Sequence, residues 1–164
     1  MEQQDIREAR DQELDAAAAI IAAAYEQYRP SIPPDAWEGY RRDMMDVRTR
    51  LASSKLLVAE SGGGQLAGCV TYFPNASEPW PPQGAYFRLL AVAPAGRGLG
   101  LGRLLTEACV ERAKAEGKRY IGLHTTTLME VARAMYERMG FVRLPEADFH
   151  PIPGVTVMAY RLDL

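Results

Sequence analysis

Two cysteines in 164 residues, Cys69 and Cys109, are too few for the disulfide framework of a small secreted domain. Each sits in an apolar pattern, so each reads as a buried free thiol, and a cytoplasmic, reducing compartment is expected. No apolar run approaches the roughly 20 residues that cross a bilayer, which argues against a membrane partner. The alanines at 16–19 fall inside a helical pattern, and the N-terminal Met1-Glu2-Gln3-Gln4-Asp5 is acidic and polar, unlike a secretory signal. An excess of one charge is missing too. With 19 Lys+Arg against 21 Asp+Glu the net charge is -2, which disfavours a nucleic acid held by bulk electrostatics. Repeats, low-complexity stretches and linkers are also lacking, so residues 1–164 are expected to form one domain.

Two phosphate-binding fingerprints are absent as well. The glycine-rich stretch at 96–103 ends Gly102-Arg103-Leu104, without the Lys-Ser or Lys-Thr of a nucleoside-triphosphate loop. A dinucleotide G-x-G-x-x-G fails in both frames, meeting Leu101 when started at Gly96 and Arg103 when started at Gly98. What is present is an apolar strand, Leu89 to Val92, running into glycines at 96, 98, 100 and 102. A helix follows at once, with Leu101, Leu104, Leu105, Ala108 and Cys109 on its apolar face. Such a loop bares backbone N–H groups at the positive end of a helix dipole, a place that binds phosphate without a dedicated side chain. Arg97 and Arg103 flank it and can add charge-assisted bonds.

Around this loop the chain alternates strand and helix signals. A short strand is predicted from Ile6 to Arg10. Asp11 then caps a helix carrying Leu14, Ala17, Ala18, Ile21 and Tyr25, which stops near Pro30. Residues 29–35 hold three prolines and are expected to be irregular. A second helix is predicted from Pro34 or Asp35 to Leu51. Lys55–Glu60 and Gln65–Phe73 make a hairpin across Ser61-Gly62-Gly63-Gly64, and Ala85–Val92 is the strand before the loop. The loop's helix should run from Gly100 to Glu116 and end at Gly117. A strand follows at Arg119–His124. A helix from the capping-box spacing Thr127–Glu130 reaches Met139 and closes at Gly140, and strands at Phe141–Leu144 and Val155–Leu162 finish the chain. This order predicts an α/β (α+β) mixed sheet with helices on both faces.

Arg97-x-x-Gly100-x-Gly102 after the strand Leu90-Ala91-Val92-Ala93-Pro94 resembles the acyl-CoA pyrophosphate loop of the GNAT (Gcn5-related N-acetyltransferase) superfamily. Ala132-Arg133-Ala134-Met135-Tyr136-Glu137-Arg138-Met139-Gly140-Phe141 resembles that family's A-x-x-x-Y-E-x-x-G-F helix. The resemblance covers residues 55 to 162 well, and the N-terminal third only by its helical pattern. It implies the GNAT acyltransferase fold, acetyl-CoA as co-substrate, and no metal. It places the pyrophosphate on Arg97, Gly98, Leu99, Gly100, Leu101, Gly102 and Arg103. The backbone of Leu90, Ala91 and Val92 would pair with the pantetheine arm, with the Val92 N–H near the thioester oxygen. The family includes many dimers, but nothing in this sequence decides whether it forms a homodimer.

Attack of an amine on a thioester develops an oxyanion and needs a proton for the leaving thiolate. By the resemblance Tyr136 is the general acid, and a phenol with a pKa near 10 suits a donor at neutral pH. A tyrosine on an amphipathic helix beside Met135 and Met139 also reads as core packing. Two positions depart from the family pattern. Met129 stands where many members carry asparagine, and Ala85-Tyr86-Phe87-Arg88 has no carboxylate where many have a glutamate base. The base is therefore open among His124, Glu130, Asp148, His150 and water. Acceptor recognition falls on residues 28–40, 74–83 and 146–154. There Trp80, Tyr28, Trp37 and Phe149 can form an aromatic wall, with Glu78, Asp148 or Glu146 to attract a cation; the same loops equally suit covering core edges. The expected activity is transfer of acetyl from acetyl-CoA to a primary amine of a small molecule or amino-acid-like substrate. A protein N-terminal or lysine acetyltransferase and a non-catalytic acyl-CoA-binding module are the alternatives.

Overall fold

A computed structural model describes residues 4–164; Met1 to Gln3, part of the acidic N-terminal stretch, lie outside the described residues. The chain divides into two compact units, one of residues 1–72 and 89–108, the other of residues 73–88 and 109–164. Among the described residues there are eight strands, with both antiparallel and parallel pairing, and five α-helices.

In the first unit, β1 (Ile6–Glu8) pairs antiparallel with β2 (Lys55–Glu60), which pairs antiparallel with β3 (Leu66–Phe73). The glycine turn between β2 and β3 is closed by Gly64 N–H donating to Ser61 C=O, with Gly64 at φ 78°. Helix α1 (Leu14–Tyr25) buries all five residues of the predicted face, Leu14, Ala17, Ala18, Ile21 and Tyr25. Burying one leucine or isoleucine of this kind contributes about 1.5–3 kcal/mol.

The predicted cap of α1 is different in the structure. Residues Asp11–Glu13 form a single 3-10 turn, and the Arg10 N–H donates to the Glu13 carboxylate at 2.7 Å. Glu13 is held there by the Arg7 guanidinium, which also meets Glu60 and brings the Glu13 pKa down to about 2. Nor is the proline stretch irregular throughout: a 3-10 helix continues over Glu26–Ser31 with Pro30 inside it. The second helix is interrupted. It runs as α2 (Pro34–Met45), breaks at Asp46 (ψ 63°), and resumes as the single turn α3 (Val47–Arg50), whose Thr49 N–H meets the Asp46 side chain. The Arg50 guanidinium donates to the Asp43 and Met44 carbonyls at that break.

Strand β4 (Gly84–Val92) and helix α4 (Leu101–Ala115) each contribute to both units. In the second unit β4 pairs in parallel with β5 (Tyr120–Thr126), through a ladder recorded from Gly84 to Phe87. β5 pairs antiparallel with β8 (Val155–Asp163), which also carries β6 (Val142–Arg143) and β7 (Phe149–Ile152). β7 had no strand signal, because Pro151 and two exposed polar-flanked positions hide its alternation. Helix α5 (Glu130–Arg138) starts two residues later than the Thr127 capping box predicts; its first N–H groups receive no side-chain cap from Met129.

Candidate functional site: a glycine loop, a capped tyrosine and a tyrosine–histidine pair

Within the first unit the glycine loop has a division of labour. Gly96 is buried, and a Cβ there would lie 2.7 Å from Leu101 Cδ1 and 2.8 Å from the Ala67 carbonyl oxygen, so its lack of a side chain permits close packing. Gly98 and Gly100 instead take φ 78° and 73° with open space around them. They turn the backbone in a conformation that costs other residues about 1–2 kcal/mol. The Gly100 carbonyl accepts the first bond of α4, from Leu104 N–H at 3.1 Å. The N–H groups of Leu101, Gly102 and Arg103 therefore have no partner within the helix and face its N-terminal end. That geometry suits an anion. Arg97 is exposed, while Arg103 donates to Glu107 at 2.7 Å and so is already half committed. Leu101 and Leu105 anchor the helix in the core, whereas Leu104, on the predicted apolar face, is 37% exposed.

The strand leading to the loop is bent. Leu89 takes φ 58°, rare for a branched side chain and a mark of stored strain. Beyond it Ala91 is buried, Leu90 and Val92 are half-buried, and the Leu90 carbonyl accepts from Tyr25 Oη at 3.3 Å.

Tyr136 lies in the second unit, and its motif has a purely structural component. Gly140 (φ 97°) donates to the Glu137 carbonyl at 3.1 Å and Phe141 to the Tyr136 carbonyl at 3.0 Å, the paired bonds that close a helix on a left-handed glycine. The expected apolar contact is present: the Tyr136 and Phe141 rings meet edge-on at 5.8 Å, and Phe87 completes the cluster at 5.9 Å from Tyr136. Tyr136 is 5% exposed. Its ring is core packing, and the spacing Y-E-x-x-G-F is what this cap requires.

The second unit also assembles a constellation the sequence only hinted at. His124, on β5, has both ring nitrogens engaged: Nε2 lies 2.8 Å from the Ala147 carbonyl, and Nδ1 lies 3.1 Å from Tyr86 Oη. A carbonyl only accepts, so Nε2 carries the proton and Nδ1 accepts from the tyrosine hydroxyl. Trp80 and Phe149 flank the imidazole with centroids 5.1 and 5.0 Å away. Burial pushes the His124 pKa below its ordinary value, against the Ala147 bond and the Asp148 charge, which raise it.

Several sequence candidates have other tasks. Asp148 receives both Arg143 amines at 2.7 and 2.6 Å and the Ala159 N–H at 2.7 Å, so it is not a free carboxylate for an incoming cation. Trp37 is 1% exposed in the core of the first unit and forms no wall. Trp80 is also buried, over Gly122, while Phe149 is exposed, as are Glu78 and Glu146. His150 meets Thr156 at an exposed position, and Glu130 is exposed in the first turn of α5.

The acetyltransferase (GNAT) family profile matches residues 17–141. N-acetyltransferase family 8 member 3 of Rattus norvegicus is 32% identical over 118 residues, 67% of this chain and 51% of that protein. The chain thus spans about half the length of this curated relative. Among solved structures, the paia N-acetyltransferase of Thermoplasma acidophilum in complex with coenzyme A superposes with a TM-score of 0.76 at 14% identity, covering 99% of each chain. The yncA structure from Salmonella typhimurium with its cofactor acetyl-CoA gives 0.67 at 18% identity, covering 99% of this chain and 94% of that one. These likenesses agree with the mixed-sheet α/β architecture read from the strand and helix order. By the profile match over most of its length, this chain belongs to the GNAT acetyltransferase family.

Proposed function

We propose that the chain transfers the acetyl group of acetyl-CoA to a primary amine of a small-molecule or amino-acid-like acceptor. The observation that carries this reading is the left-handed Gly98–Gly100 backbone opening onto the N-terminus of α4 in a member of this family. The open space at both glycines and the first-turn N–H groups without partners inside the helix fit a pyrophosphate, with Arg97 near it. Acetyl-CoA would supply an activated acyl group. In this reading Leu90, Ala91 and Val92 align the pantetheine arm, Gly98 to Arg103 hold the phosphates, and Tyr136 gives its phenolic proton to the departing sulfur. The structures of neighbours with coenzyme A or acetyl-CoA support the cofactor assignment. A small acceptor is favoured by the slightly acidic net charge of -2, which offers little to a polyanion. Two unpaired, fully buried cysteines support a reducing compartment. Among the described residues no helix is long and apolar enough to cross a membrane.

Measurement of thiol release from acetyl-CoA across a panel of small primary amines and N-terminal peptides tests the proposal. Faster release with small amines than with peptides is expected. Faster release with peptides would move the assignment to protein acetylation, and tight CoA binding with no release would make the chain a binding module.

A further inference from the structure

We propose that Tyr86 and His124 form a proton relay that serves as the base of the reaction, with Tyr86 Oη receiving the acceptor's proton and His124 Nδ1 receiving Tyr86's. The inference rests on the acetyl-transfer reading above.

Its basis is the directionality of the hydrogen bonds. The Ala147 carbonyl fixes the proton of His124 on Nε2, so Nδ1 is the basic nitrogen, and it faces Tyr86 Oη at 3.1 Å. A phenol that donates to a histidine keeps oxygen lone pairs with which to accept from a third group. Tyr86 stands on β4, three residues before the strained Leu89, and is half-buried rather than sealed. Its ring is held by Phe73 at 5.8 Å and Trp80 at 5.7 Å, so the hydroxyl is directed by packing as well as by the histidine. Both ring nitrogens are therefore placed, and the basic one rests on an ionisable hydroxyl rather than on a backbone group.

The proton balance follows. When the amine nitrogen bonds to the acetyl carbon, its N–H becomes strongly acidic. That proton passes to Tyr86 Oη as the Tyr86 proton passes to His124 Nδ1, leaving a neutral phenol and an imidazolium. The C–S bond breaks and the thiolate takes a proton from the acid; the imidazolium then returns its proton to water, and the acid regains one from water. Two charges act on the imidazole: Asp148, beyond Ala147, favours the imidazolium, and Arg88 on β4 opposes it; from β8 the facing residue is Ala159. Burial favours the neutral imidazole, the form a base must have.

The test uses the full chain with acetyl-CoA and a panel of alkylamines, arylalkylamines, polyamines and amino-acid amides. Tyr86→Phe and His124→Gln are expected to lower kcat by about 100-fold or more, the scale of general-base catalysis, with the KM for acetyl-CoA unchanged. The wild-type kcat/KM should fall on acidification with a midpoint below 6.5, and His124→Gln should abolish that limb. Tyr86→Phe preserves the ring packing, so it answers the question if His124→Gln unfolds. Wild-type rates and pH profile in Tyr86→Phe would overturn the relay while leaving acetyl transfer intact. A wild type that binds CoA but releases no thiol with any amine would overturn acetyl transfer, and the relay with it.

Discussion

Gly122 lies directly beneath the indole of Trp80: a Cβ built on Gly122 would sit 2.6 Å from Trp80 Cζ3 and 2.7 Å from Cη2. Trp80 in turn stacks on Tyr120 at 6.1 Å with a 29° interplanar angle and borders His124. The prolines around 74–83 therefore deliver one large ring onto two β5 positions that share a face, Tyr120 and Gly122. Gly122→Ala is expected to displace that ring and cost about 1–3 kcal/mol, as overpacking does. Urea unfolding reads the loss, and the environment of the His124 imidazole should change with it in NMR spectra.

The loop glycines should fail in two ways. Gly98→Ala meets no neighbour but must hold φ near 78°, so it is expected to cost about 1–2 kcal/mol or to relax the loop. Gly96→Ala meets the Ala67 backbone and destabilises the packing of the loop root. Thermal stabilisation by added CoA separates them, because a ligand raises stability only through the folded site it binds. Gly98→Ala should lose CoA stabilisation out of proportion to its effect on unliganded stability.

Tyr136→Phe retains the ring cluster with Phe87 and Phe141 and removes only the hydroxyl. It should lower kcat by about 100-fold or more, the scale of general-acid catalysis, with little change in acetyl-CoA affinity. Steady-state kinetics and a CoA titration check this, and unchanged turnover would leave Tyr136 as packing alone.

Arg143 holds the Asp148 carboxyl below the ordinary carboxylate range, helped by the Ala159 N–H and opposed by burial. A depressed folded-state pKa means the unfolded chain binds more protons as pH falls. The stabilisation is therefore fully present above about pH 3.9 and is lost as pH drops through the lower folded value. Asp148→Asn should cost about 1.5–3 kcal/mol near pH 7, the range for hydrogen bonds to charged groups. It should also flatten this part of the acid limb in unfolding curves measured from pH 6 to pH 2.

The elements that were legible in the sequence are those whose signal is local. The α1 face repeats at helical spacing, Gly117 and Gly140 end their helices because only a left-handed residue closes them cheaply, and the Gly98–Gly100 turn announces itself by residue type. The misreadings arose where a distant partner overrode a local rule. Arg7 holds Glu13 on the Arg10 N–H, so that Glu13, rather than Asp11, caps the 3-10 turn leading into α1. Arg50 stabilises a helix break that helical periodicity ran straight through.

The sequence by itself determined the family, the mixed α/β class and the loop proposed to carry the phosphates, because each depends on residues adjacent in the chain. Only the tertiary structure decided what the scattered polar residues do. It closed Asp148 onto Arg143, buried Trp37, and joined Tyr86 to His124 across 38 positions. No spacing rule links those two residues. The parallel β4–β5 ladder brings their strands together, and a single hydrogen bond, oriented by the Ala147 carbonyl, makes them a pair.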